Sequence, residues 1–232
     1  MVMSLRKRLS TYIVEYRSLL VFVVSMLLFR SAFADWTYVP SGSMNPTIVE
    51  GDRILVDKMA YGLRIPFTTI RLTHGNDPRR GDIVIFPSPE DGTTLVKRVI
   101  GLPGDTIEMR DEGLLVDGVA TDYAPALDVV DADLLQTTRA QDHRYLTEHL
   151  ANRAHAIMLL PERGAMRSFG PTVVPTGQYL VLGDSRDNSK DSRYIGFVPR
   201  ASIIGRAFKV AYSLNADRWY LPRKDRLLKP LR

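Results

Sequence analysis

Few side chains can attack a carbonyl, and this chain has no cysteine. That removes thiol nucleophiles, disulfides and thiolate metal sites together and leaves hydroxyls as the natural attacking groups. Ser43 stands out by its surroundings. It lies in Pro40-Ser41-Gly42-Ser43-Met44-Asn45-Pro46-Thr47, beside a glycine that would let the backbone approach a substrate carbonyl closely. Taken alone, such a stretch reads as a turn. Its position, just after an apolar segment and just before the first strand, is what marks it.

A serine hydroxyl is a weak nucleophile until a base takes its proton. The four histidines are His74, His143, His149 and His155. No G-x-S-x-G elbow or H-E-x-x-H pair accompanies them, so they read as ordinary exposed or half-buried residues. Lysine remains. Lys97 sits inside the apolar strand Leu95-Val96-Lys97-Arg98-Val99-Ile100. Alternation along a strand points Lys97 and Arg98 apart, so that one of them can face the interior. A buried ammonium loses its hydration and with it basicity, and the neutral amine can then deprotonate a serine. A surface lysine on an edge strand is the competing reading of this strand by itself.

The segment Gly183-Asp184-Ser185-Arg186-Asp187-Asn188-Ser189-Lys190-Asp191-Ser192-Arg193 first suggests a calcium loop. Counted from Asp184, however, the third, sixth and twelfth positions are Arg186, Ser189 and Ile195, where an EF-hand needs an oxygen ligand, a glycine and a glutamate. The segment therefore reads as a polar turn whose charges pair and hold a site rigid, with Ser189 able to hydrogen-bond a neutral lysine amine.

The elements that must position these residues are strands. Residues 53–58, 81–86, 94–101, 113–120, 155–160, 178–184 and 202–212 are short, rich in Val, Ile, Leu and aromatics, and bounded by Gly, Pro and Asp. Strands do not alternate with helices, which argues against a parallel α/β sheet. Residues 131–153 could hold one helix, residues 62–80 read as a hairpin or ribbon excursion, and residues 111–176 read as an insertion between two motif-bearing regions.

Leu19 to Phe29 is an apolar run interrupted only by Ser25. Extended through Tyr16–Trp36 it reaches the roughly 20 residues a membrane span needs, provided Arg30 snorkels. Arg6, Lys7, Arg8 and Arg17 precede the run, which keeps the N-terminus cytoplasmic and exports the rest. A cleavable signal peptide with an A-x-A site at Ala32-Phe33-Ala34 is the rival reading. A second basic cluster, Arg218 to Arg232, closes the chain. The net charge of +5 fits an anionic lipid surface better than nucleic acid, for which no recognition motif is present. The final cluster reads either as part of that surface or as a solvated tail.

Together these stretches resemble the ordered motif boxes of bacterial type I signal peptidases. The boxes are PSGSMNPT, Gly51 to Val56, Arg80 to Phe86 with Lys97 to Asp105, and Gly183 to Arg193, in that order behind an N-terminal anchor. The resemblance implies a mainly β fold. It consists of an antiparallel β catalytic domain with an inserted smaller β domain, preceded by one N-terminal transmembrane helix. The corresponding division is 1–17 cytoplasmic, 18–36 anchor, 37–110 with 177–214 catalytic, 111–176 inserted, and 215–232 a basic C-terminal tail. It implies a serine endopeptidase that removes signal peptides from exported preproteins after A-x-A-type sites, on the outer face of the bacterial cytoplasmic membrane, with no metal or cofactor. Ser43 would be the nucleophile and Lys97 the base. The Ser43 N–H and the Ser41 hydroxyl would form the oxyanion hole, and Ser189 would position the amine. Asp191 and Arg193 would support the site, as would Asp184, Arg186 and Asp187, while Val39 and Val96 would line the substrate pockets. Asp35-Trp36-Thr37-Tyr38 departs from the family's acidic-Pro-aromatic lead-in. The alternatives are a specialised processing peptidase of the conjugative-pilus type and a catalytically inactive membrane-anchored binding module. A self-cleaving repressor would share the dyad but would carry a DNA-binding part, which the sequence lacks.

Overall fold

The protein's structure is a computed structural model that describes residues 16–32, 34–63, 65, 71–73, 75–126, 143–151 and 153–231. It is mainly β, and its strand pairs are antiparallel. The largest sheet is built from β1 (Ala34–Tyr38), β2 (Asp52–Asp57), β3 (Ile83–Pro87), β4 (Thr94–Gly101), β12 (Gln178–Leu182), β13 (Val198–Pro199), β14 (Gly205–Asn215) and β15 (Leu221–Pro222). Its order is β1-β2-β14-β3-β4-β12-β13, with β15 beside β14. Two smaller sheets complete the set. One joins β5 (Thr106–Arg110), β6 (Gly113–Val116), β7 (Val119–Ala120) and β11 (Phe169–Val173), and the other joins β8 (Asp122–Pro125), β9 (Arg144–Leu150) and β10 (Arg153–Leu159).

β4 lies between β3 and β12. Its second half is buried on both faces, which is why Lys97 and Arg98 both leave solvent although their side chains point apart. Lys97 is opposite Val84 of β3, and Arg98 is opposite Leu182, the last residue of β12. The chain leaves the sheet at Gly183, beside Lys97, and that departure makes room for a site. The segment read as one strand over 113–120 is a hairpin, because Asp117 and Gly118 take positive φ values of 52° and 79° and form the two-residue turn that an Asp-Gly pair favours.

One hydrophobic cluster combines Val39, Met44, Ile48, Ile54, Val56, Ile83, Ile85 and Ala207 beneath the Ser43 turn. Another joins Ile100, Leu180 and Leu182 of the large sheet to Ile107, Met109, Leu114 and Leu150. Residues from the 111–176 stretch therefore share a core with the body.

Three further expectations change. Arg144–Leu150 is strand, not helix. Residues 144–150 pair with Arg153–Leu159 along their whole length, and that partnership overrides local helix propensity. The rest of that expected helix, 131–142, lies outside the described residues, as do parts of the 62–80 excursion and His74. The expected 18–36 anchor is shorter at its end: a helix spans Arg17–Ala32, and Ala34–Trp36 already belong to β1, paired with Leu55–Asp57. Among the described residues no helix is long and apolar enough to cross a membrane. The C-terminal stretch is not a free tail. Arg226 is buried, and its guanidinium forks onto Asp52 at 2.9 and 2.6 Å. Arg223 donates to Glu50 O and Ser213 Oγ at 3.0 and 2.8 Å. The physical reason is charge matching: the fully buried Asp52 carboxylate, which also accepts from Val49 N, needs a cation.

Arg226→Ala would strand that carboxylate. We expect a loss of about 3–5 kcal/mol of stability, read as a lower denaturation midpoint. The double variant Asp52→Asn, Arg226→Met should recover a large part of it, because neither charge is then left buried alone.

Candidate active site

Ser43 sits in a single 3-10 turn, Gly42–Met44, whose entry residue Ser41 is extended (φ −134°, ψ 152°). Met44 anchors the turn in the core, and Asn45 N closes it onto Gly42 O at 3.0 Å. From the far side, Ser185 N donates to Ser43 O at 3.2 Å. The turn is thus held by an apolar peg below and by backbone hydrogen bonds at its rim.

Lys97 reaches this turn from β4. Its Nζ donates to Ser43 Oγ at 2.7 Å and to Val96 O at 3.0 Å. Only 2% of the residue is exposed. Burial lowers the Lys97 ammonium from its ordinary value to about 8, against the opposing pull of Asp191 and Asp184. Ser41 Oγ lies 3.5 Å from Ser43 Oγ. Ser41, Ser43, Lys97, Ser189 and Leu95 line one open cleft of about 490 Å³, with Arg163, Asp187, Lys190 and Tyr194 around it. The Ser189 hydroxyl is buried and makes no hydrogen bond among the described residues. Val39 is in the core below the turn, and half-buried Val96 packs against the same cluster.

The Gly183–Arg193 segment forms the wall opposite Ser43. Asp191 accepts from Gly183 N at 3.0 Å and is forked by Arg193 at 2.8 Å on both oxygens. Asp184 receives the Arg98 guanidinium at 2.8 and 2.7 Å, which outweighs the effect of burial and keeps its carboxyl below the usual range. Arg186 pairs with Glu148 of β9 at 2.6 Å. Asp187 accepts from Leu160 N at 2.7 Å. Glu148 carries no sequence signal of its own, and His155, expected as an exposed or half-buried histidine, is buried because β10 carries it against Glu148. His155 is buried with Nε2 3.2 Å from Glu148, and burial, reinforced by Arg98, holds its imidazole below its ordinary value. The one sequence signal was Arg98 itself, a second cation in an apolar strand. His143 and His149 take no part in the cleft. Among the described residues no group of three or more His, Asp and Glu side chains is arranged to hold a metal ion.

A serine held against a desolvated amine, in an open cleft with polar donors, is chemistry suited to acyl transfer. Comparison with known proteins gives the class. The family described as "Signal peptidase, peptidase S26" matches residues 12–212. The chain belongs to the signal peptidase family. It is a serine endopeptidase of that family and resembles several named members. It is 35% identical over 211 residues to signal peptidase I of Pseudomonas fluorescens, covering 85% of this chain and 72% of that one. Signal peptidase I of Pseudomonas aeruginosa is 35% identical over 212 residues, with the same shares covered. A signal peptidase I crystal structure from Enterococcus faecalis aligns at 37% identity over 56% of this chain and 97% of that one, with a TM-score of 0.35.

Gly183 tests how tightly this signal peptidase relative is built around Ser43. A Cβ there would meet Ser43 O at 2.4 Å and Ser189 Oγ at 2.2 Å, so the turn bearing Ser43 would have to move. Gly183→Ala is expected to lower kcat/KM for a preprotein by about 10²-fold, the scale of a misplacement near 1 Å. The thermal midpoint should fall far less than the activity. Equal activity would mean that the turn can shift freely.

Proposed function

We propose that the protein is a signal peptidase I that removes N-terminal signal peptides from exported preproteins after A-x-A-type sites, with Ser43 as nucleophile and Lys97 as general base. The observation that carries this reading is the 2.7 Å contact between the Nζ of buried Lys97 and Ser43 Oγ at the open cleft. In the reactive form the amine is neutral, and its lone pair takes the Ser43 proton along that contact. The oxygen attacks the scissile carbonyl. The Ser43 N–H and the Ser41 hydroxyl donate to the resulting oxyanion. The Lys97 ammonium then returns its proton to the departing amine, leaving an acyl-Ser43 ester. Water, deprotonated by the same amine, releases the signal peptide and regenerates the serine. Ser189, which lines the same cleft, would steady the amine once the substrate excludes water. Asp191 with Arg193, and Asp184, Arg186 and Asp187 through their own partners, would fix the wall that carries it. Val96, at the core edge, and Val39 below it would shape a shallow site for small residues. Residues 37–110 and 177–214 form the catalytic part in this reading, and 111–176 an elaboration of it.

The helix from Arg17 leads directly into β1, and Leu19 to Leu27 along it are exposed. We take this segment, with the residues before it, as a single membrane anchor that leaves the catalytic part on the outer face. Trp36 and Tyr38 are exposed on β1 and Tyr212 on β14, on either side of β2, whose Arg53 stacks 4.7 Å over Tyr38. Trp219 is 94% exposed next to Tyr220 and Arg218. Amphipathic rings beside cations suit a lipid interface. With Trp36→Phe, Trp219 is the sole tryptophan, since the chain has two. In vesicles its emission should be quenched by lipids brominated near the headgroup. Emission indifferent to the bromine would remove the lipid contact.

The dyad is tested by cleavage of a preprotein bearing an A-x-A site, with product N-termini read by mass spectrometry. Ser43→Ala and Lys97→Ala should each lower kcat/KM by several orders of magnitude, on the scale of other activated serines (about 10⁴–10⁶). Because the base works unprotonated and its ammonium titrates near 8, kcat/KM should rise with pH through about 8 and level off above it. A profile flat from pH 6 to 9, or mutants as active as the parent, would exclude Lys97 as the base.

A further inference from the structure

The cleft that holds Ser43 and Lys97 is bordered by a loop whose construction is more elaborate than a connection requires. Residues 160–168 link β10 to β11, and both ends are tied to Asp187 of the facing wall. Leu160 N donates to Asp187 Oδ2 at 2.7 Å, and Arg167 Nε donates to Oδ1 at 3.2 Å. Arg167 Nη2 also gathers the carbonyls of Leu160, Pro161 and Arg163 at 2.9, 2.9 and 3.0 Å. Its Nη1 pairs with Glu112 at 3.2 Å. Further along, Met166 N donates to Tyr194 Oη at 2.9 Å, and Arg193 Nη1 donates to Met166 O at 2.8 Å. Arg167 alone thus binds three of the loop's carbonyls, and the effect is to fix its crest.

The crest carries Arg163, which is exposed and lines the cleft. Among the described residues its guanidinium has neither an ion-pair nor a hydrogen-bond partner. The other charges at the cleft are accounted for. Lys190 is paired with Glu90, Asp187 with Arg167, and Lys97 is the desolvated amine. Glu162 is exposed on the same loop but does not line the cleft. The uncompensated charge facing the scissile region is therefore the positive one of Arg163.

We propose that Arg163 is a specificity-determining residue that favours an acidic substrate side chain within a few residues of the scissile bond. This rests on the peptidase reading above and adds a charge preference to a pocket otherwise suited to small residues. An exposed ion pair changes binding modestly, so the preference is a tilt rather than a requirement: about two- to five-fold in kcat/KM, declining as salt is raised.

The test uses the full-length protein in detergent and a peptide series with one A-x-A site. A single Glu is moved through each position flanking the cut, beside a Gln control at the same position. At one or more positions the parent should cleave the Glu peptide about two- to five-fold better than its Gln control. Arg163→Gln should abolish that ratio, Arg163→Lys should keep most of it, and Arg163→Glu should bring it below one. Glu162→Gln should leave the parent's ratio in place. A ratio of one at every position, or a ratio that survives Arg163→Gln, overturns the proposal while leaving the peptidase reading intact. If the parent cleaves none of the peptides, including the Gln controls, the peptidase reading itself fails and the proposal falls with it.

Discussion

An amine kept out of water beside a hydroxyl is a condition that the fold must maintain against the strong hydration of ammonium groups. The rest of the structure can be read from that requirement. Lys97 and Arg98 are consecutive, both cationic by type, and both buried in β4, yet their environments differ in kind. Arg98 meets a matched carboxylate, with two parallel bonds to Asp184 and a third to Gly81 O, so its charge is retained. Lys97 meets a hydroxyl and a carbonyl, which suit a neutral amine as well as a charged one. The nearest carboxylates, Asp191 and Asp184, already hold guanidinium groups. Lys97 is thus left without a counter-ion of its own, although both carboxylates act on it from nearby.

The density of charge in Gly183–Arg193 follows from the same need. Three ionic residues of that segment reach different parts of the molecule, and a fourth ties the segment to itself. Asp184 goes to β4, Arg186 to β9, Asp187 to the loop after β10, and Asp191 back to its own backbone at Gly183 and forward to Arg193. Buried ion pairs contribute little net stability compared with apolar packing, but their directional bonds fix where backbone goes. Here they hold the segment, with its 3-10 turn Arg186–Asn188 and the short helix that starts at Ser192, against the Ser43 turn closely enough that Gly183 has no room for a Cβ.

How much of this was legible in the sequence differs by kind of interaction. Strands carried by local pattern were readable: 94–101 coincides with β4, and the apolar stretches at 81–86, 155–160 and 178–184 fall on β3, β10 and β12. The grouping of Ser43, Lys97 and Ser189 was an expectation carried by the resemblance of the ordered motif boxes, since the strand around Lys97 by itself suited a surface lysine equally well. What depended on partners distant in sequence was not readable. β9 is a strand because β8 and β10 lie on either side of it, and its own residues, Arg144 to Leu150, would equally suit a helix. Glu148 and His155 are single polar residues in ordinary contexts until β9 and β10 carry them beneath Arg98 and Arg186. The C-terminal basic cluster looked uniform, yet Arg226 is a buried counter-ion while Trp219 and Lys224 face outward. Only the fold distinguishes one arginine from the next.

That last distinction links the end of the chain to the start of the site. The segment carrying Ser43 leaves the sheet after β1 and returns at β2. Its neck is closed by Val39 N to Asp52 O at 3.0 Å and Gly51 N to Val39 O at 3.3 Å. Inside the neck, Asp52 takes Val49 N, and Arg226 binds both Asp52 and Thr47 O. On the other side, Thr47 Oγ1 accepts from Arg98 at 3.4 Å. Thr47, four positions beyond the nucleophile candidate, is therefore held between an arginine of β4 and an arginine near the C-terminus. The loop that presents Ser43 is thus braced by Arg98 of β4 and by Arg226, groups far apart in sequence. A chain that stopped before Arg226 would carry every residue of the cleft and still lack one of the two braces on Thr47.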